Sequence, residues 1–174
     1  METWVSKQKR FEGQIFSVSV GEARLDDGAL VSREMVEHHG GVAVVPVLGD
    51  AVILIRQFRI AININILEIP AGRLKGDEDP AFRARIELEE EVGYRAGQLE
   101  LAHTYFSSAG FTNERMRIFL AFDLEQTTQK LEFDERIEIV HIPINDIAGM
   151  LAAGEIEDAK TIIGLRALLA RLVL

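Results

Sequence analysis

The amino-acid sequence predicts an α/β fold, in which a mixed β-sheet packs with helices and a small β-sheet precedes it. Two observations carry this prediction. Short apolar runs separated by glycine and aspartate recur along the chain and are typical of strands. Apolar residues at helical spacing fill one stretch in the middle of the chain and two near its end. A length of 174 residues allows one domain with a sizeable core.

Residues 1–40 are predicted to form an N-terminal β-hairpin subdomain. The runs 15–25 and 29–38 alternate loosely and flank an Asp-Asp-Gly turn at 26–28. An isolated two-stranded hairpin is marginal in water, because it buries little apolar surface. We therefore expect this subdomain to pack on a second subunit and form a homodimer.

Residues 41–174 are predicted to form the main domain. The runs 41–48 and 51–58 flank Gly49-Asp50 and predict a second hairpin with a more deeply buried face. The remaining predicted elements are a short strand in ILEIPAG (66–72), strands at 98–106, 115–125 and 136–143, and helices near 144–153 and 158–173.

A helix is also predicted between Pro80 and Gly93. Proline suits a first helical turn, and glycine is a natural stop. Its core face is predicted from apolar residues spaced by three and four positions: Ala81, Ala84, Leu88 and Val92.

Four glutamates crowd the end of this helix. Since successive residues turn by about 100°, Glu87, Glu90 and Glu91 share one face, and Glu89 points elsewhere. One interpretation is a solvated acidic face. The other is a cage of hard oxygen ligands for Mg²⁺ or Mn²⁺, because solvated faces usually mix charges at these spacings. Gly72, just upstream, would let the backbone approach closely.

Composition excludes several kinds of protein. A net charge of −9 argues against a nucleic-acid surface, which needs a basic stripe. With no cysteine, disulfides and thiolate chemistry are excluded. No apolar run is long enough to span a bilayer, and METWVSKQKRFEG lacks the apolar core of a signal peptide. We expect a cytoplasmic protein that acts on a small molecule, without nucleic acid or membrane partners.

The stretch GRLKGDEDPAFRARIELEEEVGY (72–94) resembles the Nudix box, G-x5-E-x7-R-E-U-x-E-E-x-G-U, where U is apolar. Eight box positions are in register: Gly72, Glu78, Glu87, Leu88, Glu90, Glu91, Gly93 and Tyr94. Only the arginine differs, since Ile86 holds its place. Other stretches resemble the ADP-ribose pyrophosphatase branch of the family, over roughly residues 40–168: RQFR (56–59), LEIPAG (67–72), SSAGFTNE (107–114), DERIEI (134–139) and GEIEDAKTIIGL (154–165).

The resemblance implies a Nudix-type α/β/α sandwich with a mixed sheet. It also implies Mg²⁺-dependent hydrolysis of a nucleoside diphosphate linked to another moiety, with ADP-ribose giving AMP and ribose 5-phosphate as the best single interpretation. Alternatives are another sugar nucleotide or dinucleotide, a nucleotide-binding Nudix protein that does not hydrolyse its ligand, or a fold-only domain with a vestigial box.

The resemblance also implies roles for individual residues. The metal ligands are the carbonyl of Ala71 with Glu87, Glu90 and Glu91. The catalytic residues are Glu90 and loop acids of KLEFDERIEI: Glu135 reaches the metals, and Glu132 is the second candidate for the base. The alternative is that Glu135 and Glu132 are ordinary solvated loop acids. The substrate ligands are Arg56, Arg59 and Glu114, although salt bridges to surface acids are an alternative for the arginines.

Two positions depart from the family pattern. Ala109 stands where the ADP-ribose branch carries proline. Ile86 cannot pair with a carboxylate, and Arg83, one turn before Glu87, is the best candidate to brace the glutamates in its place. We expect Phe106 and Phe111 to lie in the core and not to form an adenine platform.

Overall fold

A computed structural model describes residues 1–173 of the chain. The chain forms two compact units, Met1–Gly40 with Tyr105–Arg115, and Gly41–Thr104 with Met116–Leu174. No helix within the described residues has both the length and the apolar character needed to cross a membrane.

The first unit contains a three-stranded antiparallel sheet. Its strands, in spatial order, are β1 (Glu2–Glu12), β2 (Ser17–Leu25) and β3 (Leu30–Glu37). The predicted hairpin is confirmed as β2 and β3, with Arg24 opposite Leu30. Strand β1 was not predicted. Its register shifts between Trp4 and Ser6 and again between Lys9 and Phe11, so that apolar and polar residues do not alternate along it.

The segment Tyr105–Arg115 completes this unit by docking on β3. The Val36 N–H donates to the Phe111 carbonyl at 2.8 Å, and the Asn113 N–H donates back to Val36 at 3.3 Å. The expectation that Phe106 and Phe111 lie in the core is wrong, since both are exposed. The Arg115 guanidinium lies 6.0 Å from the Phe106 ring, and Phe111 lines a cleft with Trp4.

The second unit is built on a seven-stranded mixed sheet. Its strands are β4 (Gly41–Leu48), β5 (Ala51–Arg59), β6 (Ile64–Glu68), β7 (Ala71–Arg73), β8 (Tyr94–Phe106), β9 (Arg115–Gln126) and β10 (Ile137–Pro143). The order is β10-β5-β4-β9-β8, with β6 on β5 and β7 on β4. Strands β4 and β9 are parallel, whereas β4 and β5 form the predicted antiparallel hairpin.

Three helices cover this sheet: α1 (Pro80–Val92), α2 (Ile144–Ala153) and α3 (Ala159–Val173). Two consecutive residues of β4 show that α1 and α3 lie on opposite faces of the sheet. Val44 packs in one cluster with Leu88 of α1, whereas a Cβ on Gly164 of α3 would lie 2.8 Å from Val45 Cγ2. Because both faces of β4 are covered, its sequence is continuously apolar. The predicted α/β/α sandwich is confirmed.

Candidate active site

Helix α1 begins and ends where the sequence predicts. Pro80 occupies its first turn, and the Asp79 carboxylate caps it by accepting from the Phe82 N–H at 2.8 Å. Gly93 ends it in the left-handed conformation, with φ of 72°, and its N–H donates to the Glu89 carbonyl. These local signals fix the phase of the helix and therefore the direction of every glutamate on it.

Glu87 and Glu91 are buried, so a solvated acidic face is the wrong interpretation for them. A Cβ on Gly72 would lie 1.7 Å from the Glu87 Oε1, and therefore only glycine leaves room for this carboxylate beside β7. The Ala71 N–H donates to Glu91 Oε2 at 2.8 Å. Two carboxylates one helical turn apart thus meet the backbone of the strand that leads into the box.

Burial is the main cause of a raised pKa in both of these glutamates. Burial raises the pKa of Glu91 to about 8, and the charges of Glu87 and Glu135 act in the same direction. Burial also raises the pKa of Glu87, with contributions from Glu90 and Glu135 that oppose the effect of Arg83. In both carboxyls burial therefore disfavours the charged form, a cost that a bound cation would offset.

Arg83 takes the bracing position that Ile86 cannot fill. An Nη2 of its guanidinium lies 2.6 Å from Glu87 Oε1, and both side chains are buried. The Arg83 Nε has no hydrogen-bond partner among residues 1–173, which leaves it a donor for a further acceptor. Arg85 points away and donates to the Ala96 carbonyl at 2.5 Å. The sequence-based choice of Arg83 over Arg85 is confirmed.

The acidic loop after β9 is tied to the end of α1. The Lys130 N–H donates to the Glu90 carbonyl at 2.9 Å, and the Gln129 side chain donates to the Glu91 carbonyl at 2.7 Å. Glu135, further along, is close enough to raise the pKa of both buried glutamates. Glu132 is exposed, and its N–H donates to Glu135 Oε2 at 2.8 Å.

The residues of this cluster fit a divalent cation. Carboxylates are the hard oxygen ligands that Mg²⁺ and Mn²⁺ prefer, and Glu87 and Glu91 are buried carboxyls whose charged form a cation would stabilise. Among residues 1–173, no group of three or more acidic or histidine side chains converges on one ion position. Glu87 and Glu91 are the buried residues that would hold such a cation.

The two arginines of RQFR have different partners. Arg56 lies 3.4 Å from the exposed Glu138 of β10, which is the surface salt bridge considered for it. Arg59 forms a two-pronged contact with the buried Glu68, Nε to Oε1 at 2.5 Å and Nη2 to Oε2 at 2.9 Å. Lys160 of α3 contacts the same carboxylate. Sequence reasoning missed both Glu68 and Lys160.

Glu114 belongs to the first unit. Its carboxylate Oε1 lies 3.4 Å from the Nδ1 of His38. The Gly40 N–H donates to the same Nδ1 at 2.9 Å, so this nitrogen is an acceptor and the ring carries its proton on Nε2. The Glu114 carboxylate keeps its acceptor capacity.

Comparison with known proteins decides the family. Residues 37–164 match the NUDIX domain, which covers most of the chain. The chain belongs to the NUDIX domain family. This Nudix chain is 36% identical over 163 residues to an ADP-ribose pyrophosphatase of Bacillus subtilis (strain 168), covering 92% of this chain and 88% of the relative.

One further sequence relative and one solved structure are also similar to this chain. The Nudix chain is 30% identical over 168 residues to the methanol dehydrogenase activator of Bacillus methanolicus, covering 95% of this chain and 91% of that protein. A crystal structure of an ADP compounds hydrolase superposes with a TM-score of 0.88 at 21% identity, covering 99% of this chain and 94% of that one. At that identity the superposition confirms the fold. The predicted membership of the ADP-ribose pyrophosphatase-like branch is confirmed by the sequence relatives.

Proposed function

We propose that this protein is a pyrophosphohydrolase that cleaves ADP-ribose to AMP and ribose 5-phosphate with Mg²⁺ or Mn²⁺. One observation carries the proposal: Glu87 and Glu91 lie buried beside β7, Glu87 at Gly72 and Glu91 on the Ala71 N–H, and burial raises the pKa of both. Similarity to the ADP-ribose pyrophosphatase of Bacillus subtilis supports the choice of substrate.

The metal ligands are proposed to be Glu87, Glu90, Glu91 and the carbonyl of Ala71. A divalent cation bound there supplies charge neutralisation for the diphosphate oxygens and acidifies a coordinated water. Arg83 fixes the Glu87 carboxylate through its 2.6 Å contact, so that the ligand keeps one orientation. Burial of both glutamates also excludes bulk water from them, which strengthens their attraction for a cation.

Glu135 is proposed as the general base that takes a proton from the attacking water. Its electrostatic effect on both Glu87 and Glu91 supports this role over that of Glu132. Glu132, through its own N–H, holds the Glu135 carboxylate by a 2.8 Å hydrogen bond. Glu90 completes the catalytic set as a ligand on the same face of α1.

Arg56 and Arg59 are proposed to bind the diphosphate, and Glu114 the ribose hydroxyls. Arginine suits phosphate because its planar guanidinium presents several donors. The Arg56 ion pair with Glu138 is exposed, so exchanging Glu138 for a phosphate oxygen costs little. Glu114 has the free acceptor capacity that a hydroxyl needs.

One experiment distinguishes the proposed substrate from the alternative substrates and from a non-hydrolytic nucleotide-binding protein. Cleavage of a panel of nucleotides with Mg²⁺ and with Mn²⁺ is followed by product identity, and ADP-ribose is expected to exceed nucleoside triphosphates in kcat/KM. A better triphosphate would overturn the branch-specific substrate, and a better sugar nucleotide would fit the departure at Ala109. Binding without cleavage would favour a non-hydrolytic nucleotide-binding protein, against which the Arg83 brace argues.

A homodimer and a cytoplasmic location complete the proposal. Strand β1 is exposed along its whole length, including its apolar residues Trp4, Val5 and Phe11, which supports packing on a second subunit. Light scattering at micromolar concentration is expected to give twice the chain mass, and an active monomer would contradict it. The absence of cysteine in the sequence fits a reducing compartment.

A further inference from the structure

A polar cluster at the first turn of α3 has no part in the chemistry proposed above. Asp158 caps this turn: its Oδ2 accepts from the Thr161 N–H at 2.9 Å and from the Thr161 hydroxyl at 2.6 Å. The Lys160 Nζ lies 3.0 Å from Asp158 Oδ1. The Thr161 Oγ1 in turn accepts from the Ile69 N–H at 2.9 Å, which anchors the turn to the strand end before Ala71.

Lys160 reaches from this turn to the carboxylate that holds Arg59. Glu68 is only 1% exposed and receives both prongs of the Arg59 guanidinium as well as the Lys160 ammonium. Burial alone would raise the pKa of Glu68, but hydrogen bonds from Arg59 and the charge of Lys160 outweigh burial and hold the pKa below its usual value. Glu68 is therefore a buried charge with two counter-ions.

The two counter-ions differ in their access to solvent. The Arg59 side chain is 41% exposed, whereas the Lys160 side chain is 14% exposed. Arg59 is thus the cation that a ligand reaches, and Lys160 is the internal one. If Lys160 were absent, Arg59 would be the sole counter-ion of a buried carboxylate, and such a carboxylate binds its remaining partner tightly.

We propose that Lys160 is a positioning residue of the site: by sharing the charge of Glu68, it leaves Arg59 with positive charge to offer to the diphosphate. Lys160 does this without touching substrate. The inference rests on the proposed function, because it takes Arg59 as a diphosphate ligand.

The first test replaces Lys160 in the full-length protein. Lys160→Met is expected to raise KM for ADP-ribose about tenfold, near the lower end of the effect of removing an outer-shell partner, while kcat changes less than about twofold because the metal ligands are intact. Lys160→Arg is expected to restore most of the loss. The matched control is Arg171→Met on the same helix, whose guanidinium lies 3.5 Å from Glu100; it is expected to leave both constants unchanged.

A double-mutant cycle separates positioning from direct contact and from a structural role. In a Glu68→Gln background the shared charge is gone, so Lys160→Met is expected to have no further effect on KM. If Lys160→Met raises KM equally in both backgrounds, Lys160 contacts substrate itself and the inference is overturned. An unchanged KM in the folded Lys160→Met protein also overturns it. Should that variant fail to fold, Lys160→Gln, whose amide still donates to Glu68, is judged by the same criteria.

Failure of the proposed function is recognised separately. Arg59→Gln is expected to raise KM for ADP-ribose. An unchanged KM there, or no cleavage of ADP-ribose by the wild-type protein, overturns the role of Arg59 and the inference with it. A normal Arg59→Gln effect together with a silent Lys160→Met overturns the role of Lys160 alone.

Discussion

Helix α1 carries glutamates with opposite behaviour on its two sides. Glu91 lies buried against the Ala71 backbone, and its pKa is raised to about 8 by burial. Glu89, two residues earlier, is paired with Arg95 at the surface, and that hydrogen bond lowers its pKa. Two glutamates only two positions apart therefore differ in pKa because of what each side chain faces.

The comparison shows that the run of acids contains two separate features. Where the helix faces β7, burial raises the pKa of both carboxylates although Arg83 pairs with Glu87, so both would gain from a bound cation. Where it faces solvent, Arg95 pairs with the charge of Glu89. Burial and counter-ions, and not the number of charges in the sequence, distinguish a candidate site from a solvated surface.

The largest contrast is expected from removing one charge on each side. Glu91→Gln and Glu87→Gln should each lower kcat for ADP-ribose by about 10²-fold or more, as removal of one preorganised electrostatic group does. Glu89→Gln, the matched control, should keep wild-type kcat. Both buried variants should fold, since repulsion is relieved. Full activity or unfolding of these two would contradict the metal-ligand interpretation.

A change on the strand side should disturb the same pair without altering charge. Gly72→Ala places a methyl group 1.7 Å from the Glu87 Oε1, so Glu87 must move. We expect kcat to fall about 10–100-fold, the range found when the support of a ligand is lost. Gly149→Ala in α2, where a Cβ meets nothing within 4 Å, is the control. Equal activity of the two variants would show that Glu87 needs no fixed position.

Removing the brace should have a smaller effect. Arg83→Ala is expected to lower kcat about tenfold, which corresponds to about 1.4 kcal/mol and exceeds the effect of an exposed helix pair. Ile86→Arg should add nothing, because Arg83 already contacts Glu87. Arg95→Ala, on the solvent side, should leave kcat unchanged. A silent Arg83→Ala together with a tenfold gain from Ile86→Arg would mean that the brace is missing.

The smallest effect should appear in stability and not in rate. A carboxyl whose folded pKa is raised binds more protons in the folded state than in the unfolded one, so its contribution to stability falls as pH rises. For Glu91 this window runs from the ordinary pKa of 4.5 to the raised pKa of about 8. Metal-free protein should therefore lose thermal stability across this range, and Glu91→Gln should flatten the curve. A Tm that rises with pH in both proteins would contradict the raised pKa.

Much of the fold could be predicted because its signals are local. The turn 26–28, the Gly49-Asp50 turn, Pro80 and Gly93 each fix an element within a few residues. Strand β1 was not predicted because its two register shifts break the alternation of apolar and polar residues that identifies a strand. Phe106 and Phe111 were predicted wrongly because an apolar side chain does not reveal from sequence whether the segment that carries it is covered.

The candidate site divides in the same way. Glu87 and Glu91 are one helical turn apart, so their shared face follows from spacing alone. Lys160 and Glu68 are separated by 92 residues, and only the packing of α3 against the sheet brings them together. Sequence spacing carries no information about such a pair.

The attachment of the acidic loop between β9 and β10 to α1 also limits the length of chain that is free to move. Its first anchor is the Lys130 N–H on the Glu90 carbonyl, and its second is Ile137, paired with Gln57 in the sheet. Only residues 131–136 lie between them. Glu135 therefore lies in a short segment whose two ends are fixed. Few backbone torsions have to be ordered when Glu135 contacts a ligand. Closing so short a span has a small entropic cost, which leaves more of the ligand's binding free energy for holding the nucleotide.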